Sequence, residues 1–331
     1  MQLEQIKNSI FVTNTKKMKK ILGILVFTLA LNGCDDGNLT QENISFDTVT
    51  VQKCATNVLL YKLKDNEALI FEATGITFPT ETTSQEINIS STNRVIYRFY
   101  NNTITSATIC ETIPPASPVV TDQWTATGGK IAINTTAIKT SNTTDNSSKI
   151  TGYNHNITFK NITFAKSNGT QVYETFAFGD YTTSATSLPF AFNKTLEQCS
   201  TSKQLYDYNS NEALILDIDP ALIVNEATPL NTPRIGLISD TKNKLTYRLF
   251  SGLLTGAYFC NTTFPTTPTV SEEWIAVPGV ANTNGTIEVT TTVFGNGFKH
   301  TVVLKKAKMK KGSSDFLLGD TYIYGELLTT N

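Results

Sequence analysis

The sequence lacks an apolar run long enough to cross a bilayer. A membrane-spanning helix needs about 20 apolar residues, because each residue adds about 1.5 Å along a hydrocarbon core about 30 Å thick. The most apolar stretch covers residues 21–31 and is eleven residues long. This stretch cannot span the membrane, so another role must explain it.

An excess of charge of one sign is also missing. The whole chain has 27 Lys plus Arg against 28 Asp plus Glu, and residues 34–331 alone have 22 against 27. A domain that neutralises nucleic-acid phosphates normally carries a clear basic excess. We therefore expect no nucleic-acid partner.

Residues that carry chemistry are scarce. The chain contains two histidines, and it has no Cys-x-x-Cys pair, nucleophile elbow, phosphate-binding loop or zinc-binding helix. These are the local patterns that identify common catalytic and metal sites. The sequence therefore predicts no catalytic residue, no metal and no cofactor, and it favours a protein that is not an enzyme.

The short apolar stretch has the flanks of a secretory signal. Lysines precede it and small residues close it, which is the order of an export signal. Leu31-Asn32-Gly33-Cys34 then resembles the lipobox of bacterial lipoproteins, which implies a diacylglycerol on Cys34 and removal of the peptide before it. Such signals begin at the Met before the lysines. Residues 18–33 are accordingly the predicted signal peptide, and residues 1–17 an over-extended start.

The lipobox resemblance implies a lipid-anchored protein of the cell envelope. Acyl chains contribute about 0.8 kcal/mol per buried methylene, and two chains suffice for stable membrane attachment. The acidic pair Asp35-Asp36 resembles the signal that sends Bacteroidota-type lipoproteins to the outer surface of the outer membrane. In enterobacterial lipoproteins, Asp after the lipidated Cys instead resembles an inner-membrane retention signal, and a charged tether over residues 34–50 explains the pair equally well. We expect an outer-membrane, surface-exposed location.

The cysteines fit this compartment. The chain has five, and an odd number in an exported protein needs an explanation for the unpaired one. Lipidation of Cys34 provides it. The oxidising envelope favours disulfides among the remaining four, which are Cys54, Cys110, Cys199 and Cys260.

The chain contains an internal repeat. "CATNVLLYKLKDNEALIFE" from Cys54 matches "CSTSKQLYDYNSNEALILD" from Cys199, and "NRVIYRFYNNTITSATIC" matches "NKLTYRLFSGLLTGAYFC". Two modules are predicted, at residues 51–187 and 188–331. Because each copy should carry its own bridge, we expect Cys54 to pair with Cys110 and Cys199 with Cys260.

Both copies read as β structure. Segments such as "RVIYRFY" and "KLTYRLF" alternate with period two, and short apolar runs end at turn residues. The prediction is an all-β chain of two tandem β-sandwich-like or barrel-like modules. Residues 134–149 are expected to form a mobile polar loop. The lysine-rich segment 299–311 is expected to be an edge strand protected by its charges, with anionic glycan or lipid headgroups as the alternative ligand.

The repeat also singles out paired candidate binding residues, which are Trp124 and Trp274, His155 and His300, and Glu67 and Glu212. The tryptophans stack on sugars if exposed and anchor the core if buried. The histidines are ligand contacts or hydrogen-bonded strand residues. The glutamates bind calcium or sugar hydroxyls, or they are turn-to-strand residues.

The expected function is non-catalytic binding or scaffolding at the cell surface. A duplicated module on a tether suits capture of a glycan or an envelope protein through linked sites. The alternative is an envelope hydrolase acting on surface polysaccharide, with its acid and base among Glu67, Asp180 and their partners. A purely structural envelope component is the third reading.

Overall fold

The computed structural model describes residues 43–330, and most of them lie in antiparallel β-strands. The all-β prediction is confirmed. The predicted over-extended start, the signal peptide, the lipidated Cys34 and the tether as far as residue 42 lie outside the described residues. From Phe46 onward the chain forms one compact unit, which we divide at residue 188 into a first and a second half.

The first half contains eight strands and one short helix. They are β1 (Gln52–Lys53), β2 (Leu59–Lys64), β3 (Glu67–Ala73), β4 (Thr83–Asn88), β5 (Asn93–Tyr100), α1 (Ser106–Cys110), β6 (Val120–Ser141), β7 (Ser148–Lys166) and β8 (Gly169–Ser184). All of these strands belong to a single sheet in the order β1-β2-β3-β5-β6-β7-β8, and β4 pairs with β6 outside that path.

The second half contains eleven shorter strands and two 3-10 helices, Pro220–Leu222 and Gly256–Tyr258. The strands are β9 (Glu197–Gln198), β10 (Leu205–Tyr208), β11 (Glu212–Asp217), β12 (Arg234–Leu237), β13 (Lys244–Phe250), β14 (Val270–Ala276), β15 (Thr286–Phe294), β16 (Gly297–Lys305), β17 (Lys308–Lys311), β18 (Ser314–Leu317) and β19 (Tyr322–Thr330). They form two sheets, β18-β17-β14-β13-β11-β10-β9 and β12-β15-β16-β19.

The long strands of the first half bend at positions where the corresponding strands of the second half end and new strands begin. Asn161 within β7 has φ 49°, and Gly179 within β8 has φ 120°. Lys306, between β16 and β17, has φ 47°, and Gly319, between β18 and β19, has φ 117°. Positive φ turns the backbone out of a regular strand, and glycine adopts it without steric cost. Pairing continues through the bend in the first half only, which leaves one sheet there and two sheets in the second half.

Strands are apolar on both faces because each face is covered. In β11, Leu214 and Leu216 join the main core of the second half, which also contains Trp274 and Tyr247. Ala213 and Ile215 face the other way, into a smaller cluster with Cys199, Tyr258 and Phe259. The loop that follows β13 covers this second face. The disulfide between Cys199 and Cys260 therefore fixes this loop over a hydrophobic cluster.

Both predicted disulfides are confirmed. Cys54 bonds to Cys110 across a sequence separation of 56, and Cys199 bonds to Cys260 across 61. Each bridge lies at a small cluster on the outer face of its sheet. The pairing stays within each half, as the argument from the internal repeat requires.

Two local predictions are wrong. Residues 134–149 are not a polar loop, because β6 continues to Ser141 and β7 begins at Ser148. The lysine-rich strand β17 is not an edge strand, because it lies between β14 and β18. Period-two alternation in "KMKK" buries Met309 and leaves Lys308 and Lys310 exposed, so the charges mark the solvated face of an interior strand.

Candidate binding cleft between the two halves

The tip of the β6–β7 hairpin docks on the second half. Lys139 Nζ forms an ion pair with Asp315 Oδ1 at 2.6 Å. The backbone N–H of Leu317 donates to Ser148 Oγ at 2.9 Å. The N–H of Asp320 donates to the carbonyl oxygen of Asp145 at 2.7 Å. These contacts fix the orientation of one half relative to the other, because they combine backbone and side-chain bonds along one hairpin.

A cleft of about 540 Å³ lies beside this contact. Three segments line it: residues 147–151 at the start of β7, residues 185–190 in the linker between the halves, and residues 316–322 from β18 to β19. Small-molecule sites of about 300–1,000 Å³ occur preferentially where domains meet. The cleft has the size and the place of such a site.

Glu212 fixes the linker wall of the cleft. Its buried carboxylate accepts hydrogen bonds from the backbone N–H groups of Phe190 and Ala191, at 3.0 Å and 2.7 Å. Tyr247 Oη and Asn209 Nδ2 donate to the same carboxylate, at 2.7 Å and 2.6 Å. The Phe190 ring stacks on Tyr247 with centroids 4.3 Å apart. Glu212, a predicted binding residue, therefore holds the backbone of the cleft wall in position but does not itself line the cleft.

A second buried carboxylate holds the other end of the linker. Asp207 is 2% exposed, and its Oδ2 accepts from the N–H of Lys194 at 2.7 Å. Burial raises the pKa of Asp207 to about 6, against the lowering effect of its backbone hydrogen bonds. The position matched to it by the predicted repeat is Lys62, whose ammonium donates to the carbonyl oxygen of Phe46 at 2.9 Å and whose pKa is lowered by burial. The equivalent buried position is thus cationic in one half and acidic in the other.

Two polar groups of the cleft are available to a ligand. Tyr322 is half-buried, and burial together with Asp207 and Glu212 raises the pKa of its phenol, which stays neutral. Within the described residues the Tyr322 hydroxyl forms no hydrogen bond. Lys149 is exposed, and its ammonium has no ion-pair partner in the described part of the chain. Both side chains line the cleft.

The two histidines lie outside the cleft, in buried and closely similar surroundings. His155 on β7 has Nδ1 2.9 Å from Thr135 Oγ1 and Nε2 2.9 Å from Thr183 Oγ1. His300 on β16 has Nδ1 2.9 Å from Thr291 Oγ1 and Nε2 3.0 Å from Thr329 Oγ1. Burial lowers the pKa of both rings, to about 4 for His155. Each is a neutral side chain held between threonines of neighbouring strands.

The two tryptophans are buried and present no exposed ring. Trp124 is 2% exposed, and its Nε1 donates to Asp122 Oδ2 at 2.9 Å. Trp274 is 3% exposed and packs edge-on against Phe316, with centroids 5.0 Å apart. Its Nε1 has no partner among the described residues, and it borders a cavity of about 10 Å³. A cavity of that volume has room for about one water.

The carboxylates of the hydrolase alternative serve separate contacts. Glu67 on β3 accepts a hydrogen bond from Tyr97 Oη at 2.7 Å. Asp180 on β8 accepts from Asn154 and Asn156 at 3.2 Å and 2.8 Å. Neither residue lines the cleft. Within residues 43–330 no three His, Cys, Asp or Glu side chains group into a metal site.

The cleft residues themselves were not predicted from the sequence. Lys149, Phe190, Phe316 and Tyr322 come from segments far apart in the chain, and none belongs to a chemical motif. One local signal was present, because "LPF" at residues 188–190 places apolar side chains in a stretch that otherwise reads as an inter-module connection. These side chains pack on the core of the second half.

Comparisons with protein-family models, curated proteins and solved structures found no match to this chain. In the part of the chain that the structure describes, no helix has the length and hydropathy needed to span a bilayer.

Proposed function

We propose that this protein is a lipid-anchored lipoprotein of the cell envelope that binds a ligand, without catalysis, in the cleft between two β modules. The anchor would be Cys34, and the predicted location is the surface of the outer membrane. A scaffolding role for an envelope protein is the broader form of the same proposal. The observation that carries the binding role is the open cleft between two docked halves.

The anchoring part is supported by the sequence from residue 19 to residue 38. A basic, apolar and small-residue order leads to Cys34, and an acidic pair follows it. The described fold begins only a few residues later, since Phe46 is buried and packs edge-on against Tyr97 at 5.9 Å. The segment between Cys34 and Phe46 would serve as the tether that holds the modules away from the membrane.

Matching strand orders support the proposal that the two halves are copies of one module. β1, β2, β3, β5 and β6 lie side by side in that order, as do β9, β10, β11, β13 and β14. Trp124 pairs with Tyr97 across β6 and β5, and Trp274 pairs with Tyr247 across β14 and β13. One disulfide accompanies each set. A shared pairing pattern with shared buried anchors is what a duplication would leave.

The lining of the cleft favours binding over polysaccharide hydrolysis. Glycoside hydrolysis commonly uses a pair of carboxylates on opposite sides of the scissile bond. The fourteen residues that line the cleft include no Asp or Glu. The open shape and the neutral hydroxyls instead suit reversible capture.

Filling the cleft should abolish binding. Ser187 is exposed on the cleft wall, so Ser187→Trp would place an indole in the cavity without removing a core contact. We expect binding on a glycan array to fall at least about tenfold, since the steric block removes the contact area on which affinity depends.

Ala281→Trp is the matched control. Ala281 is exposed in another groove, of about 560 Å³ and remote in sequence from the linker. Its variant should bind like the wild type, and both variants should keep the wild-type urea midpoint. Equal binding by Ser187→Trp and wild type would refute the cleft as the site.

Mass spectrometry of the protein from its native host should find residues 1–33 absent and a diacylglyceryl group on Cys34. Cys34→Ser should release the protein from the membrane fraction, because the thioether is the attachment point. Recovery of an unacylated, intact N-terminus would reject the lipoprotein assignment. It would leave the cleft experiment unaffected.

A further inference from the structure

The cleft combines an apolar wall with a hydroxyl-bearing wall. Leu188, Phe190 and Phe316 supply aliphatic and aromatic surface, while Ser147, Ser148 and Thr151 lie on the segment that begins β7. Phe190 is locked in place, because it stacks on Tyr247 and meets Phe316 edge-on at 5.8 Å. Rigid aromatic surface loses little conformational entropy on binding. The site thus offers a fixed apolar face together with polar edges.

Polar groups border the apolar wall of the cleft, which disfavours an alkyl chain. Ser187 precedes Leu188 on the linker, and Lys149 precedes Ile150 on β7. Within the described residues, the hydroxyls of Ser187 and Tyr322 form no hydrogen bond with the protein. A buried hydrocarbon tail would leave such groups without partners at a cost in free energy. A ligand with hydroxyls around a partly apolar ring would satisfy them.

The charge of the cleft points to an acidic ligand. Among the described residues that line the cleft, Lys149 is the one basic side chain, and none is Asp or Glu. Two aspartates beside the hairpin do not line the cleft and accept hydrogen bonds from neutral donors: Asp145 Oδ1 accepts from the N–H of Ser147 at 2.9 Å, and Asp320 Oδ2 accepts from Asn146 Nδ2 at 2.6 Å. A carboxylate on the ligand would complement the Lys149 ammonium.

We infer that the cleft binds an oligosaccharide that contains uronic acid residues. This inference rests on the proposed binding function and names its ligand class. The sugar ring would lie on the apolar wall, its hydroxyls would meet Ser187 and Tyr322, and its carboxylate would meet Lys149. The cleft volume of about 540 Å³ admits a short oligosaccharide and excludes a folded domain.

Calorimetric titration of the full chain in detergent provides the test, with trigalacturonate and maltotriose as probes. Both are α-1,4-linked trisaccharides, and they differ in the carboxylates and in the configuration at C4, so the change in preference caused by Lys149→Gln isolates the contribution of the carboxylates. We expect trigalacturonate to bind up to about fivefold more tightly than maltotriose, because an exposed ion pair contributes up to about 1 kcal/mol. That preference should shrink as salt is raised, since screening weakens an exposed pair.

Lys149→Gln should remove the preference for trigalacturonate by lowering trigalacturonate affinity more than maltotriose affinity. Lys203→Gln is the matched control, because Lys203 is exposed and lines a different groove. Tyr322→Phe should weaken both sugars, because it deletes one hydroxyl and keeps the ring.

Equal affinity for the two sugars, or an unchanged preference in Lys149→Gln, would overturn the inference. So would binding of octanoate with no binding of either sugar. In each case the Ser187→Trp experiment still reports separately whether the cleft is the binding site. Loss of array binding in Ser187→Trp with no uronate preference would refute the ligand class and keep the proposed function.

Discussion

Glu212→Ala should lower the free energy of unfolding by about 4 kcal/mol. The carboxylate is fully buried and accepts four hydrogen bonds, from two linker N–H groups, Tyr247 and Asn209. Its removal leaves several buried donors without an acceptor, and each costs about 1–3 kcal/mol, with partial compensation by water. Urea unfolding would measure the loss as a lower midpoint with an unchanged slope.

Glu67→Ala provides an internal control for that experiment. Glu67 occupies the equivalent position of the first half, but it is only half-buried and accepts one side-chain hydrogen bond, from Tyr97. We expect a loss of about 1 kcal/mol. Equal losses in the two variants would contradict the view that Glu212 holds the linker.

Glu212→Ala should also impair the cleft. Phe190 lies on the cleft wall, and Glu212 fixes its backbone N–H. A released linker would lose its preorganised position, so ligand affinity should fall even at temperatures where the variant remains folded. Glu67→Ala should leave affinity unchanged, because it has no contact with the linker.

Replacing Cys199 and Cys260 together by Ala should cost about 4 kcal/mol. The bridge closes 61 residues of sequence, and loop-closure entropy rises only slowly with length, to about 4 kcal/mol at this size. The bridge also holds the loop that covers Tyr206, Ile215 and Phe250 on the outer face of the sheet. Unfolding by urea with and without a reductant measures the effect.

The first-half bridge is the comparison. Cys54 and Cys110 are separated by 56 residues, so their double Ala variant should lose nearly the same free energy. Reduced wild type should be less stable than either double variant, because it lacks both bridges. A loss below about 1 kcal/mol in both variants would mean that the unfolded chain is already restricted where the bridges close it.

The sequence pattern of short apolar runs correctly predicted strands such as β11, but it wrongly predicted a loop at the tip of the β6–β7 hairpin. "EALILD" reads as a buried strand because alternate apolar side chains serve the two covered faces of one sheet. Residues 134–149 read as a loop because Thr, Asn and Ser dominate them. They form strand and turn because the tip gains partners in the second half, such as Asp315 and Leu317. The composition of a segment does not indicate which distant residues will contact it.

Sequence comparison also found some of the candidate residues and missed others. The sequence comparison identified matching positions, and the structure places the histidines, the tryptophans and Glu212 in buried surroundings. The cleft belongs to neither half alone, so a comparison of the two copies could not reveal Lys149 or Tyr322.

The sequence by itself determined the all-β class and the two disulfide pairings, because alternation and short apolar runs are properties of neighbouring residues and the matching segments around the cysteines can be read by comparing the chain with itself. Only the tertiary structure decided that one half bends a single sheet where the other breaks it into two. It also decided where the cleft lies, because that depends on contacts such as Lys139 with Asp315, which are 176 residues apart. Packing between distant segments sets such a surface, and no local pattern encodes it.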